Sequence, residues 1–299
     1  MQCTRPMYAL INKLSDGTNA VKILPKRVDS YSREVLEAKY GHGHIINLPC
    51  GHCLVCKLNY ARNWASRCVL EASCYKENWF LTLTYDDEHL PSSPSKKEMS
   101  DFMKRLRKEL GAGIRFFGCG EFGSTTHRFH MHLILFNCPI PDAKCLGRAN
   151  NGYYYSSKLI EKIWGKGNII LGEVTFSSCN YVARYCVKKV FGDNSEEFVL
   201  MSRKPGIAYP YFEKHYEDIY REDRIYFNFG NSLFQSPSRF FDKCYMSIDP
   251  ARFQEVKDKR ISNADVSLAA ELVARGCAHK EDLFAIKENL NSSIKKRGF

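Results

Sequence analysis

The segment that most constrains this chain is Phe129-His-Met-His-Leu-Ile-Leu-Phe136. In an extended strand, residues two apart share a face. Phe129, Met131, Leu133 and Leu135 then form one wholly apolar face, which has to be buried under helices. The other face carries His130, His132, Ile134 and Phe136. Two imidazoles therefore stand side by side near the start of the strand, placed as good ligands for a divalent metal. The plain alternative is a pair of ordinary histidines with no metal.

A second strand, Ile114–Glu121, precedes this one, and the link 122–128 contains Gly123 and is short enough for a hairpin. Glu121 ends one strand and His130 begins the next, so the carboxylate can approach both imidazoles. Two histidines and a carboxylate with open positions form a recognised facial arrangement for a catalytic ion, and an oxygen ligand raises affinity for Mg²⁺ or Mn²⁺.

Other elements follow from periodicity. Leu54, Leu58, Ala61, Ala65, Cys68, Ala72 and Tyr75 make one stripe of a helix over 54–77. Residues 79–85 and 168–176 read as strands, and residues 94–110, 156–164 and 178–190 as helices. Residues 1–49 read as an irregular arm, and 141–153 as a polar loop. Residues 195–299 mix helices with aromatic-rich loops, ending in two helices over 264–296 broken at Gly276. The expected fold is α+β, a central antiparallel β-sheet flanked by helices, with an N-terminal cysteine-rich arm (1–56), a catalytic domain (57–207) and a mainly helical C-terminal extension (208–299).

Lys and Arg number 44 against 33 acids, a formal charge of +11, which suits a polyanionic partner. No stretch approaches the ~18–20 apolar residues of a membrane span. The expected location is the cytosol, and the partner a nucleic acid.

On the helix over 178–190, Tyr181, Tyr185 and Lys188 fall within one narrow wedge. Two phenols and an ammonium on one stripe suit covalent phosphoryl transfer. The phenols are weak nucleophiles at neutral pH unless a nearby cation favours the phenolate. The alternative is two core aromatics of an amphipathic helix.

Thirteen cysteines are present, an odd number, and most read as small buried hydrophobes rather than a disulfide framework. Cys50, Cys53 and Cys56 stand apart, spaced Cys-x₂-Cys-x₂-Cys at the start of the long helix. With Cys3 or His52 as fourth ligand they would close a structural zinc site. An iron–sulfur cluster and unligated cysteines are the alternatives.

Glu121, His130-Met131-His132 and Tyr181-x-x-x-Tyr185-x-x-Lys188 resemble the HUH endonucleases, and Phe80-Leu-Thr-Leu-Thr84 looks like that superfamily's first motif. Pro49-Cys50-Gly-x-Cys53-x-x-Cys56, Thr84–Pro91, Gly120-Glu-Phe-Gly123 and Ser202–Ile207 narrow the resemblance to replication initiators of small single-stranded DNA phages, the gokushovirus branch of the microviruses. Two positions depart from that pattern: Phe129, where many relatives have proline, and Ala208, where glycine is expected.

The resemblance implies a site-specific single-strand DNA endonuclease and ligase that starts and ends rolling-circle replication through a 5′-phosphotyrosine. Glu121, His130 and His132 would hold the ion, Tyr181 and Tyr185 would attack, and Lys188 would contact the phosphate. Arg184, Lys189, Arg203 and Lys204 would contact DNA. Partners would be phage origin DNA and the host replication helicase and polymerase, in the host bacterial cytoplasm. A relaxase or transposase using the same chemistry, and a non-catalytic zinc-stabilised nucleic-acid-binding protein, are the rival readings.

Overall fold

The structure is a computed structural model, described here for residues 3, 7–15, 19–24, 44–123, 127–149, 152–191, 196–228 and 232–274. The chain divides into two compact units, one of Tyr60–Tyr216 and one of Met1–Asn59 with Glu217–Phe299.

The first unit is built on a seven-stranded, wholly antiparallel sheet. Its strands are β4 (Asn78–Thr84), β5 (Arg115–Phe122), β6 (Phe129–Phe136), β7 (Lys144–Ala149), β8 (Gly152–Ser156), β9 (Ile169–Gly172) and β10 (Phe198–Met201), in the order β10-β5-β6-β4-β9-β8-β7. The β6 strand lies inside the sheet, between β5 and β4, as its double-sided apolarity requires. Its Phe129, Met131, Leu133 and Leu135 are buried in a core that also takes Leu81 and Leu83 of β4. Helix α2 (Lys96–Leu110) covers this core with Met99, Phe102, Met103 and Leu106, the i, i+3, i+4, i+7 stripe of an amphipathic helix. Helix α3 (Lys158–Trp164) adds Ile160, Ile163 and Trp164; Ser157 caps it by accepting from Ile160 N at 3.1 Å.

Both faces of β6 are buried, not one. Ile134 and Phe136 pack with Phe117 and Cys119 of β5 beneath helix α1 (Leu54–Ala72) and helix α4 (Phe176–Phe191). Ala61, Ala65 and Cys68 of α1 and Cys179, Val182 and Ala183 of α4 supply the helical side of this second core. Small residues at these positions let the two helices lie close to the sheet. Gly120 has a related purpose: a Cβ there would stand 2.6 Å from the Phe129 ring and 2.7 Å from that of Phe198.

The other unit contains a three-stranded antiparallel sheet, β2-β1-β3, from β1 (Met7–Lys13), β2 (Asn19–Ile23) and β3 (His44–Leu48). It also holds the hairpin β11 (Ile225–Asn228) and β12 (Ser232–Gln235), α6 (Arg239–Ile248) and α7 (Pro250–Ala274). Helix α5 (Tyr209–Glu222) lies across the division between units. Tyr220 stacks on Tyr245 at 3.9 Å, and its hydroxyl donates to Asp242, which with Asp223 also receives Arg260.

Two expectations are corrected. The N-terminal arm is not irregular over its described part: Met7↔Leu48 and Ala9↔Ile23 pairings make it a sheet. The partners of β1 and β3 lie some forty residues apart, so no local pattern announces them. The polar loop over 141–153 is largely the β7–β8 hairpin, whose edge strand carries Lys144, Gly147 and Arg148 and a bulge instead of alternating apolar residues. The break at Gly276 and the second helix beyond it lie outside the described residues.

Candidate active site

Register assembles the site. Glu121 of β5 pairs directly with His130 of β6, and Cys119 with His132. On the opposite side, Thr84 of β4 pairs with His130 and Thr82 with His132. Side chains of paired residues share a face, so Glu121 and Thr82 flank the two imidazoles. The β4 end is held close by Gly167 (φ 138°), where any Cβ would collide with the Thr84 carbonyl.

The three predicted ligands converge on one oxygen. Glu121 Oε1 lies 3.1 Å from His130 Nε2 and 2.9 Å from His132 Nε2. The other ring nitrogens are engaged: His130 Nδ1 donates to the Arg128 carbonyl at 3.1 Å, and His132 Nδ1 meets Thr82 Oγ1 at 3.0 Å. A carbonyl can only accept, so a neutral His130 turns its lone pair toward the carboxylate. His132 Nε2, fully buried, lies out of line for a hydrogen bond to Glu121 and has no hydrogen-bond partner. Three electron-rich atoms within 4.8 Å of one another, one of them an orphaned buried nitrogen, fit a cation between them.

Electrostatics agree. Burial pushes the Glu121 carboxyl up, but hydrogen bonds with His130, His132 and Tyr181 together hold it at about 2. At that value it stays anionic and is a poor proton acceptor. The hydrogen bond to Glu121 raises His130 despite burial, whereas the deeper burial of His132 outweighs the same carboxylate and lowers it.

The tyrosine helix is anchored at its start. Thr175 Oγ1 accepts from Ser178 N at 3.1 Å while Ser178 Oγ accepts from Thr175 N at 2.8 Å, a reciprocal cap. With Cys179, Val182 and Ala183 turned into the core, Tyr181 is delivered to the histidines. Its hydroxyl donates to Glu121 Oε1 at 2.7 Å, and its ring meets that of His132 edge-on at 5.1 Å. The Tyr185 oxygen lies 3.5 Å from that of Tyr181. Burial, and then the Glu121 carboxylate, raise the Tyr181 phenol well above its ordinary range. The reading of these phenols as plain core aromatics does not hold for Tyr181, which is 40% exposed.

Other predicted residues spread out. Arg184 is exposed on α4; Lys188 and Lys189 fall on the same helix, but their side chains lie outside the described residues. Arg203 and Lys204 are exposed, yet β10 runs antiparallel to β5 and leads them to the end away from Glu121. Phe116, which is hydrogen-bonded to Ser202, is about 17 Å along the strand from Glu121 at ~3.4 Å per residue. The 202–208 segment is clasped from below: Arg67 donates to the Ile207 carbonyl at 2.8 Å, Arg115 to that of Pro205 at 2.8 Å, and Ala208 N to buried Glu71 at 2.5 Å. Ala208, with φ 71°, holds a left-handed conformation that glycine adopts freely, which fits the departure seen in the sequence. Cys3, Cys50, Cys53 and Cys56 come together in the other unit, their sulfurs within 4.8 Å of one another.

Two contributors escape the sequence reading. Thr82 orients His132, and Phe80 stacks on it at 5.5 Å with 11° between planes. The signal was available: 80, 82 and 84 alternate on one face of a strand that has to neighbour the histidines.

Strand, histidine pair and tyrosine helix together define a class. Residues 78–190, from β4 to α4 with every residue of this site, match the family model of the ORF2-type replication-associated proteins. The chain is 31% identical to replication-associated protein VP4 of Bdellovibrio phage phiMH2K, covering 95% of this chain and 87% of that protein. It is 29% identical to replication-associated protein ORF2 of Spiroplasma virus 4, over 99% and 97%. A shorter match, 29% identical over 60% of this chain and 50% of the relative, is to replication-associated protein ORF4 of Chlamydia phage 1. The chain belongs to the phage replication-associated proteins. No solved structure matches it. Among the described residues, no helix is long and apolar enough to cross a membrane.

Proposed function

We propose that this protein initiates and terminates rolling-circle replication of a phage genome by nicking and rejoining single-stranded origin DNA through a tyrosyl-phosphate ester. The observation that carries the reading is that one carboxylate oxygen, Glu121 Oε1, lies within 2.7–3.1 Å of the Tyr181 hydroxyl and of both imidazoles. A charge of +11 suits the DNA, and the relatives are replication-associated proteins of phages.

Glu121, His130 and His132 would hold Mg²⁺ or Mn²⁺, which supplies electrostatic activation of the scissile phosphate. The protein's own part is positioning and nucleophilic attack. The deprotonated oxygen of one tyrosine forms a bond to phosphorus while the bond from phosphorus to the 3′ oxygen breaks. That oxygen takes a proton and leaves as a free 3′-OH, and the strand stays on the enzyme as a 5′-phosphotyrosine. The ester keeps the energy of the broken bond, so joining needs no ATP. Host polymerase, with a host helicase, would extend from the 3′-OH in the bacterial cytoplasm. The second phenol, 3.5 Å from the first, then attacks the regenerated origin and the displaced strand is closed. Lys188 would contact the transferred phosphate, and Arg184, Lys189, Arg203 and Lys204 would track the backbone.

A relaxase or transposase shares the chemistry, but the paired phenols on one helix favour repeated cleavage and joining. A non-catalytic binder leaves the convergence on Glu121 without a cause. Incubation of the protein with an end-labelled single-stranded origin oligonucleotide and Mn²⁺ is the test. A labelled adduct that survives denaturation and disappears with chelator supports the enzyme; tight binding with no adduct supports the binder.

A further inference from the structure

Outside the nicking site, the strongest concentration of chemistry is the set of four cysteines in the unit of Met1–Asn59 and Glu217–Phe299. The sulfurs of Cys3 and Cys53 are 3.8 Å apart, those of Cys50 and Cys56 4.0 Å, and all four lie within 4.8 Å. These separations exclude disulfides, which need about 2.0 Å between sulfurs. They fit another object. Thiolates ~2.3 Å from a tetrahedral zinc stand about 3.8 Å from each other.

The surrounding backbone is arranged for the same end. Cys50 N donates to the Cys3 sulfur at 3.3 Å and Cys53 N to the Cys50 sulfur at 3.4 Å, bonds that stabilise sulfur as thiolate. Gly51, with φ 79°, makes the tight turn that aims these amides inward. Cys53 precedes the first residue of α1, where the helix dipole favours negative charge, and Cys56 follows one turn later. Cys3 is brought in by pairing: Met7 of β1 lies opposite Leu48 of β3, so the chain just before β1 meets the chain just after β3.

We propose that Cys3, Cys50, Cys53 and Cys56 form a closed tetrathiolate zinc site that fastens the ends of β1 and β3 to the start of α1. All four positions are taken by protein, so the site is structural and offers no place for substrate. Zinc enters as each thiol gives up its proton, with no change of oxidation state. A cubane or rhombic iron–sulfur core places several irons and bridging sulfides between its cysteines and needs more room than this cluster has. The fourth ligand is Cys3, not His52. The proposal stands independently of DNA nicking.

The test uses the full-length protein, purified without added metal and analysed for metal content. Wild type should carry about one zinc per chain, released by a mercurial thiol reagent. Cys3→Ser, Cys50→Ser and Cys53→Ser should each lower zinc at least about fivefold. Cys145→Ser, an exposed cysteine elsewhere, and His52→Ala should keep it. If the cysteine variants fail to fold, cobalt exchange into wild type decides. The intense visible bands and sulfur-to-cobalt charge transfer of a tetrahedral thiolate site support the proposal, and the pale spectrum of octahedral cobalt overturns it. Iron with acid-labile sulfide, a stable metal-free protein, or zinc lost with His52→Ala but kept with Cys3→Ser would each overturn it as well.

Discussion

The Tyr181 hydroxyl donates to Glu121 Oε1 at 2.7 Å, so the proposed nucleophile shares an oxygen with the proposed metal site. In this arrangement the carboxylate holds the phenol proton in place and raises the phenol above its ordinary range. A cation on Glu121 would compete for that oxygen. The tyrosine is therefore expected to become reactive only when the ligand set is complete.

The first prediction concerns that set. His130→Ala and His132→Gln should each lower adduct formation by at least about 100-fold, in keeping with loss of a positioned electrostatic element. Glutamine is chosen at 132 because the ring is buried and stacked on Phe80. Alanine there would leave a cavity and cost stability of about 1–3 kcal/mol, so tolerance of alanine holds for His130 alone. Cleavage assays with circular dichroism check both halves; wild-type rates in both variants would remove the site from these residues.

Thr82→Val tests orientation without touching a ligand. It keeps the shape and deletes the group facing His132 Nδ1. Mn²⁺ affinity should fall about 10–100-fold while the fold stays intact, as for other outer-shell partners of metal-bound histidine. Titration calorimetry reads it directly, and an unchanged affinity would mean that packing alone orients the ring.

Metal binding should also depend on pH. The Glu121 hydrogen bond raises His130, so at mildly acid pH a proton occupies the nitrogen that the metal needs. Affinity should climb as pH rises and His130 loses that proton, by up to about tenfold per unit for one displaced proton. For the metal-free protein the sign at Glu121 is opposite. Its carboxyl is held at about 2, below its unfolded value, so its stabilising contribution is present above the unfolded value and lost as pH falls toward 2. Glu121→Gln should flatten that acid limb in denaturant titrations.

How much of this was legible depends on the range of the interactions. The β5–β6 hairpin and the stripe of α2 are local, and alternation or 3.6-residue spacing reveals them in the sequence. The approach of Glu121 to both histidines follows from one hairpin and was legible too. The β1–β3 pairing and the clasp of Glu71 on Arg115 and Ala208 join residues far apart in sequence, and no periodicity encodes them. The hairpin of β7 and β8 escaped because an edge strand needs no apolar alternation.

The Glu71 clasp gives a stability prediction. Glu71 is fully buried and accepts from Arg115 Nε and Ala208 N, both at 2.5 Å. Glu71→Ala leaves a mostly buried guanidinium without its carboxylate and should cost about 3–5 kcal/mol. Chemical denaturation measures this. A loss under about 1 kcal/mol would show that Arg115 is satisfied by the Pro205 and Gly206 carbonyls alone.

The central claim is that two phenols on one helical turn serve one site as alternate nucleophiles. Mass mapping of the trapped nucleotide–peptide, in wild type and in the tyrosine variants, tests it most directly. Tyr181→Phe and Tyr185→Phe should each retain some cleavage of a short origin oligonucleotide and be badly impaired in producing closed circles. The label should fall on residues 181 and 185 only, and the double variant should bind DNA but form no adduct. An adduct in the double variant would contradict the assignment of both nucleophiles, and full-cycle activity in one single variant with none in the other would contradict the alternation.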